Sequence, residues 1–197
     1  MEINAKSKPH ELFEAWMKEA KTVPGVREPA AMVLSTVSSN GELHSRVVLC
    51  KSWSEEGFVF YTNYQSLKGQ DLENSSQAAA IFYWDPMCRQ VKISGEVVKT
   101  SRQQSEAYWN SREKGSQLSQ YISHQSQEVK SREELENLWR EAEAEFQNRP
   151  VPCPAHWGGY VLRPRLIEFW IGRENRLHDC YQFEKQGASW TFRRLFP

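Results

Sequence analysis

Apolar residues recur along this 197-residue chain with two different periods, and the switches between them mark its elements. After Pro9, the positions Leu12, Phe13, Trp16, Met17 and Ala20 repeat at steps of three and four. That spacing predicts a helix from about His10 to Lys21, with the proline tolerated in its first turn. The pattern then shortens. Ala31 to Val37 (AMVLSTV) reads as a buried strand, Asn40-Gly41 as a hairpin turn, Ser45 to Trp53 as the return strand and Phe58 to Asn63 as a third. A short helical segment containing Lys68 to Leu72 separates these from strands expected at Ala78 to Trp84 and Gln90 to Val98.

Helical spacing returns next. Ser101 with Gln104 and Ser131 with Glu134 have the separation of capping boxes. The first opens a helix to about Arg112; the second precedes Leu135, Leu138, Trp139 and Phe146. The proline-rich RPVPCPAHWGG at 149–159 is a turn-forming connection, after which Tyr160 to Leu162, Leu166 to Trp170, Tyr181 to Phe183 and Trp190 to Phe192 read as closing strands. Many antiparallel strands with few helices give an α+β, mainly β class: a small barrel with peripheral helices. A single domain over 1–197 is expected, with a helical N-terminal region at 1–22 and a helical insertion at 101–148.

Charge narrows the function classes. Lys and Arg number 25, as do Asp and Glu, so no basic excess points to nucleic acid and no polybasic tract to a membrane surface. No apolar run reaches about 18 residues and MEINAKSKPHELF lacks the regions of a signal peptide, so a cytoplasmic location is expected. Cys50, Cys88, Cys153 and Cys180 are too widely spaced for metal pairs and no histidine cluster completes one, so no metal site is expected and the thiols read as free.

The chemistry starts from missing devices. The chain has no GxGxxG, no GxxxxGK[ST], no GxSxG and no HExxH, so a bound phosphate must be held by side chains, for which the arginine fork and the lysine point charge are suited. Tyr108, Arg112 and Ser116 stand four apart and share one face if their helix persists to Gly115. They could converge on one phosphate, or form an ordinary solvated face. In RVVLCK, Arg46 and Lys51 point to opposite sides of a regular strand. Both can serve one site only at a bulge, a sheet edge or a subunit boundary. Trp170 reads equally as core.

RVVLCK, FYTN, LKGQ, YWDPMCRQV, HQSQ, HWGGYVL, IEFW, RLHD and the final RRLFP, in this order, resemble the signature segments of the pyridoxine (pyridoxamine) 5′-phosphate oxidases, from about Glu11 to Pro197. The resemblance implies an FMN-binding split β-barrel, homodimeric, with FMN in clefts between the subunits. It implies that Arg46, Val47, Val48 and Leu49 lie along FMN, with Tyr61, Thr62, Lys68, Gln90, Gln125, Ser126 and Trp170 completing its site. By the same resemblance Lys51, Tyr108, Arg112 and Ser116 hold the phosphate of a B6 substrate, and Arg176 and His178 pack over its ring as the catalytic pair. The reaction implied is oxidation at C4′ with FMN as hydride acceptor and O2 reduced to hydrogen peroxide, giving pyridoxal 5′-phosphate.

Three departures stand against the pattern. The family commonly has Arg where this chain has Leu67 and Cys180, and both changes remove a potential flavin contact. The family's basic, tyrosine-containing N-terminal extension also has no counterpart ahead of the first helix, which leaves solvent exclusion in question. Two other functions are compatible with the same fold: a phenazine-biosynthesis-type FMN oxidase, and a flavin- or haem-binding protein without activity. The intact set of Lys51, Tyr108, Arg112 and Ser116 favours a phosphorylated substrate.

Overall fold

Helix α1 (Pro9–Ala20) opens the fold, with its proline at the start and Leu12, Phe13, Trp16, Met17 and Ala20 on its buried face. The structure, a computed structural model, describes residues 3–197. Phe13 meets Trp53, Phe58 and Phe82 edge-on, so this helix closes one end of the main core. The strands that follow are β1 (Ala31–Val37), β2 (Leu43–Leu49), β3 (Ser52–Ser54) and β4 (Gly57–Asn63). After α2 (Leu67–Asn74) come β5 (Gln77–Trp84) and β6 (Arg89–Lys99), then α3 (Arg102–Asn110), α4 (Lys114–Ile122) and α5 (Arg132–Glu145). Strands β7 (Trp157–Ile171), β8 (Asp179–Gln186) and β9 (Ser189–Leu195) finish the chain.

All pairings are antiparallel, in the order β2-β1-β5-β6-β7-β4-β3, with β8 on β7 and β9 on β8. The two ends of that path, β2 and β3, are consecutive in sequence. The expected continuous strand from Ser45 to Trp53 is therefore broken at Cys50 and Lys51. The Cys50 amide donates to Ala30 ahead of β1 and the Lys51 amide to Val59 in β4, so adjacent residues tie opposite ends of the sheet together. The sheet must curl until its ends meet, which is an open barrel rather than a flat layer.

The barrel splits along β7. Its first half pairs with β4 (Trp157 to Leu162) and its second half with β8 (Leu166 to Ile171), while β6 runs beside both. Two separate strands were expected there; a single 15-residue strand spans the region. Its register against β6 shifts between Ser94 and Gly95, opposite Pro164, and a bulge is where a sheet interior accepts a proline. Gly95 is required at that point because a Cβ would lie 1.9 Å from the Arg163 carbonyl oxygen.

The insertion between β6 and β7 has its own small core of Trp109, Leu118, Ala142, Phe146, Val151 and Trp157. Ser101 and Gln104 form the full capping box of α3. At α5 only half the expected box forms: Ser131 caps the Glu134 amide, while the Glu134 carboxylate accepts from the Lys130 amide instead. No helix among the described residues is long and apolar enough to cross a membrane. On the outer face of the sheet Val47, Val33 and Ile81 lie in one cross-strand row, all exposed, with Val47 at 65%.

Candidate active site

The edge strand β2 borders a cleft of about 990 Å³. Alternation along β2 sends His44, Arg46 and Val48 to the side of Thr36, Leu34 and Met32, and Val47 to the side of Val33. Because the strand ends at Leu49, Lys51 is released from that alternation and lines the same cleft as Arg46. The break at Cys50 resolves their opposed facing.

At one end of the cleft stands the N-terminus of α2. Its cap Ser66 accepts from the Gly69 amide, and the Leu67 amide donates to Ser126 Oγ at 3.2 Å. Lys68 is only 7% exposed. Its ammonium donates to Thr62 Oγ1 (3.2 Å), Ser66 Oγ (3.2 Å) and Gln125 Oε1 (3.0 Å), all neutral acceptors, and has no carboxylate partner among the described residues. Burial, reinforced by the nearby Arg46 charge, lowers its pKa to about 8. Positive charge beside a helix N-terminus, where backbone amides point outward, is an arrangement suited to an anion. Ser126 is held at φ 73°, in the left-handed region, by this docking of the 123–127 loop.

Arg46 donates to Thr36 Oγ1 (2.7 Å) and the Leu34 carbonyl (3.3 Å), and lies 3.7 Å from the buried Asp71 of α2. Desolvation lowers its pKa, against the pull of Asp71. Asp71 also accepts from Thr36 (2.6 Å) and contacts His44 Nδ1 (3.0 Å). Burial pushes the Asp71 carboxyl up; the hydrogen bonds of Thr36 and His44 and the Arg46 charge outweigh it and hold the pKa below the ordinary value.

Tyr108, Arg112 and Ser116 line the same cleft, together with Lys51. They do not lie on one continuous helix face as expected. α3 stops at Asn110, the chain turns through Ser111 to Glu113, and α4 restarts at Lys114. The three residues still line one cleft, because Arg112 Nη2 spans the junction to the Ser116 carbonyl (3.2 Å). Arg112 stacks over Trp157 (5.1 Å) and Trp109 (5.7 Å), has no carboxylate partner among the described residues, and has its pKa lowered by burial. Tyr61 and Tyr108 stack at 3.9 Å, with Trp157 parallel beneath Tyr61 at 5.4 Å. Burial, then the neighbouring Tyr108, raises the Tyr61 pKa.

Four expected residues lie elsewhere. Gln90 and Trp170 pair across β6 and β7 on the outer face, in line with Cys180 of β8. Trp170 is half-buried and tilts against His178 at 4.6 Å. Arg176 sits at φ 61°, and His178 Nδ1 accepts from the Arg173 amide. None of the four lines the cleft of their own chain. The cleft contains His44, Leu67, Glu113 and Gln120 as well, which sequence reasoning did not assign. For His44 the signal was available, since it precedes Arg46 by two and so shares its face.

Two family models match the chain: pyridoxamine 5′-phosphate oxidase over residues 18–145, and the pyridoxine 5′-phosphate oxidase C-terminal dimerisation region over 157–197. It is 45% identical to the pyridoxine/pyridoxamine 5′-phosphate oxidase of Rubrobacter xylanophilus, over 100% of this chain and 90% of that protein. The enzyme of the same name from Pseudomonas paraeruginosa is also 45% identical, over 100% and 92%. Among solved structures, PhzG from Burkholderia lata, in complex with tetrahydrophenazine-1-carboxylic acid, superposes with a TM-score of 0.92 at 31% identity, covering 98% of this chain and 95% of that one. A pyridoxamine 5′-phosphate oxidase-related protein from Nostoc punctiforme shares the fold at 14% identity, with a TM-score of 0.75 and coverage of 98% and 100%.

Proposed function

Because the chain belongs to the pyridoxine/pyridoxamine 5′-phosphate oxidase family, we propose that the cleft beside β2 holds an FMN cofactor together with the phosphorylated substrate. The activity follows from membership: the protein is an oxidoreductase that oxidises pyridoxine or pyridoxamine 5′-phosphate. Its C-terminal dimerisation region makes it a homodimer.

The observation that carries the cofactor reading is that one cleft holds several cations without carboxylate partners among the described residues: Lys68 at the N-terminus of α2, and Lys51 and Arg112. Two phosphates, one on the cofactor and one on the substrate, fit these cations. The volume agrees, lying at the upper limit of about 300–1,000 Å³ for small-molecule sites. In this reading Lys68, Thr62, Tyr61, Gln125 and Ser126 hold FMN at its phosphate end, and Arg46 with the backbone of Val47, Val48 and Leu49 lies along it. Lys51, Tyr108, Arg112 and Ser116 grip the substrate phosphate, which fixes the opposite end of a small rigid molecule. Gln90, Trp170, Arg176 and His178 are supplied by the second copy across the dimer. Arg176 orients the substrate ring and His178 holds or moves a proton beside it. FMN, when bound, accepts the two electrons released at C4′ and passes them to dioxygen.

The test is anaerobic. Purified protein loaded with FMN should bleach on adding pyridoxamine 5′-phosphate and recolour with air; failure to take up FMN would end the cofactor reading. Lys51→Met and Arg112→Ala should each lower kcat/KM for the phosphorylated substrate roughly 10- to 100-fold, the worth of a hydrogen bond to a charged group, with smaller changes in flavin content. Equal turnover of unphosphorylated pyridoxamine would instead favour the chemistry of the PhzG relative.

A further inference from the structure

His44 is the one cleft-lining histidine on β2, and it is built in rather than loose on the surface. Its Nδ1 rests 3.0 Å from Asp71 Oδ2, and Asp71 is only 3% exposed and is also bonded to Thr36. Asp71 follows Leu67 by four residues on α2, so the two are neighbours one turn apart on the same helix face. His44 and Leu67 both line the cleft. Leu67 itself is apolar and 42% exposed, next to the buried Lys68.

Counting charge at this end makes the arrangement informative. Arg46 and Asp71 offset each other at 3.7 Å. Lys68 then remains without a carboxylate partner among the described residues, and its pKa is lowered to about 8. A proton on His44 adds a second positive charge. With Nδ1 committed to Asp71, Nε2 is the nitrogen free to donate, its nearest carboxylate being Glu42 at 4.0 Å.

We propose that His44, oriented by Asp71, is a phosphate-binding residue for the cofactor that supplies the cation Leu67 does not. The assignment rests on the FMN reading of the cleft. The charged groups against His44 are Asp71 from α2 and Glu42 from the turn before its strand; Arg46 shares Asp71 with it, and Lys68 lines the same cleft.

The test is flavin binding to the apoprotein, followed by flavin fluorescence, for wild type, His44→Gln, Leu67→Arg and the double variant, each with FMN and with riboflavin. Glutamine keeps a donor for Asp71 and cannot carry charge. At pH 6, His44→Gln should weaken FMN roughly 10-fold, as expected for loss of a charge-assisted hydrogen bond, and leave riboflavin unchanged. Leu67→Arg should restore FMN affinity in the His44→Gln background. Equal FMN affinity of wild type and His44→Gln would overturn the proposal while leaving the FMN reading standing. Equal losses for FMN and riboflavin would overturn it too, since that is the signature of a damaged strand. A wild-type protein that binds neither flavin would overturn the FMN reading and this assignment with it.

Discussion

Lys68 carries the sharpest consequence of any single residue. An ammonium buried among neutral oxygens is destabilised, and its pKa lies at about 8 instead of 10.5. The folded value is below the unfolded one, so between about pH 8 and 10.5 the unfolded chain binds more protons and the apoprotein gains stability as pH rises. Below that window the penalty is present in full. Lys68→Met should therefore raise the Tm of the apoprotein at pH 7 by roughly 2–8 °C, corresponding to about 1–2 kcal/mol in a domain of this size, and the gain should vanish above pH 10.5. Added FMN should raise the Tm of wild type and not of the variant. A lower Tm at pH 7 would mean that the bonds to Thr62, Ser66 and Gln125 outweigh the burial penalty. The family segment LKGQ already pointed to Lys68 in the sequence. The absence of a counter-charge did not show there, because it depends on which chain segments pack around the ammonium.

Elements were legible wherever one period governed them alone. β1 and α1 follow the expected spans to within a residue or two because each has one buried face with an unbroken repeat. The misses share a cause: a strand that serves two neighbours in turn has no single pattern. β7 read as two strands because RPR interrupts its apolar run at the point where its pairing passes from β4 to β8. α4 was not expected at all, since KGSQLSQYI buries only Leu118 and its helix packs chiefly on α5, far along the chain. The same logic makes Gly95 a sensitive position. Its missing Cβ leaves room for the Arg163 carbonyl at the switch, and backbone cannot move aside as a side chain would. Gly95→Ala should cost on the order of 3 kcal/mol or more, the upper range for point substitutions, with chemical denaturation as the readout. A cost under about 1 kcal/mol would show that the β6–β7 bulge relaxes freely.

At the scale of the whole molecule the candidate residues divide into two groups that one chain keeps apart. Lys51, Lys68, Tyr108 and Arg112 line the cleft, whereas Gln90, Trp170, Arg176 and His178 belong to the outer sheet face and the β7–β8 connection. A two-fold dimer would reconcile them if its isologous interface brought the second group of one copy to the first group of the other. The exposed apolar row of Val47, Val33 and Ile81, ending at the cleft's edge strand, fits burial in that interface. Sequence segments could identify both groups, yet no pattern along one chain can reveal whether they meet between two. Mixed dimers decide the matter. Arg112→Ala and Arg176→Ala homodimers should each be impaired at both sites. If the site is shared, unfolding and refolding the two variants together in equal amounts makes half the dimers mixed, and each mixed dimer has one site with both arginines intact and one with neither. Activity should recover to roughly a quarter of wild type, the product of those two halves. Were each site assembled from a single chain, every site in the mixture would still lack one arginine and activity would stay at the level of the separate variants.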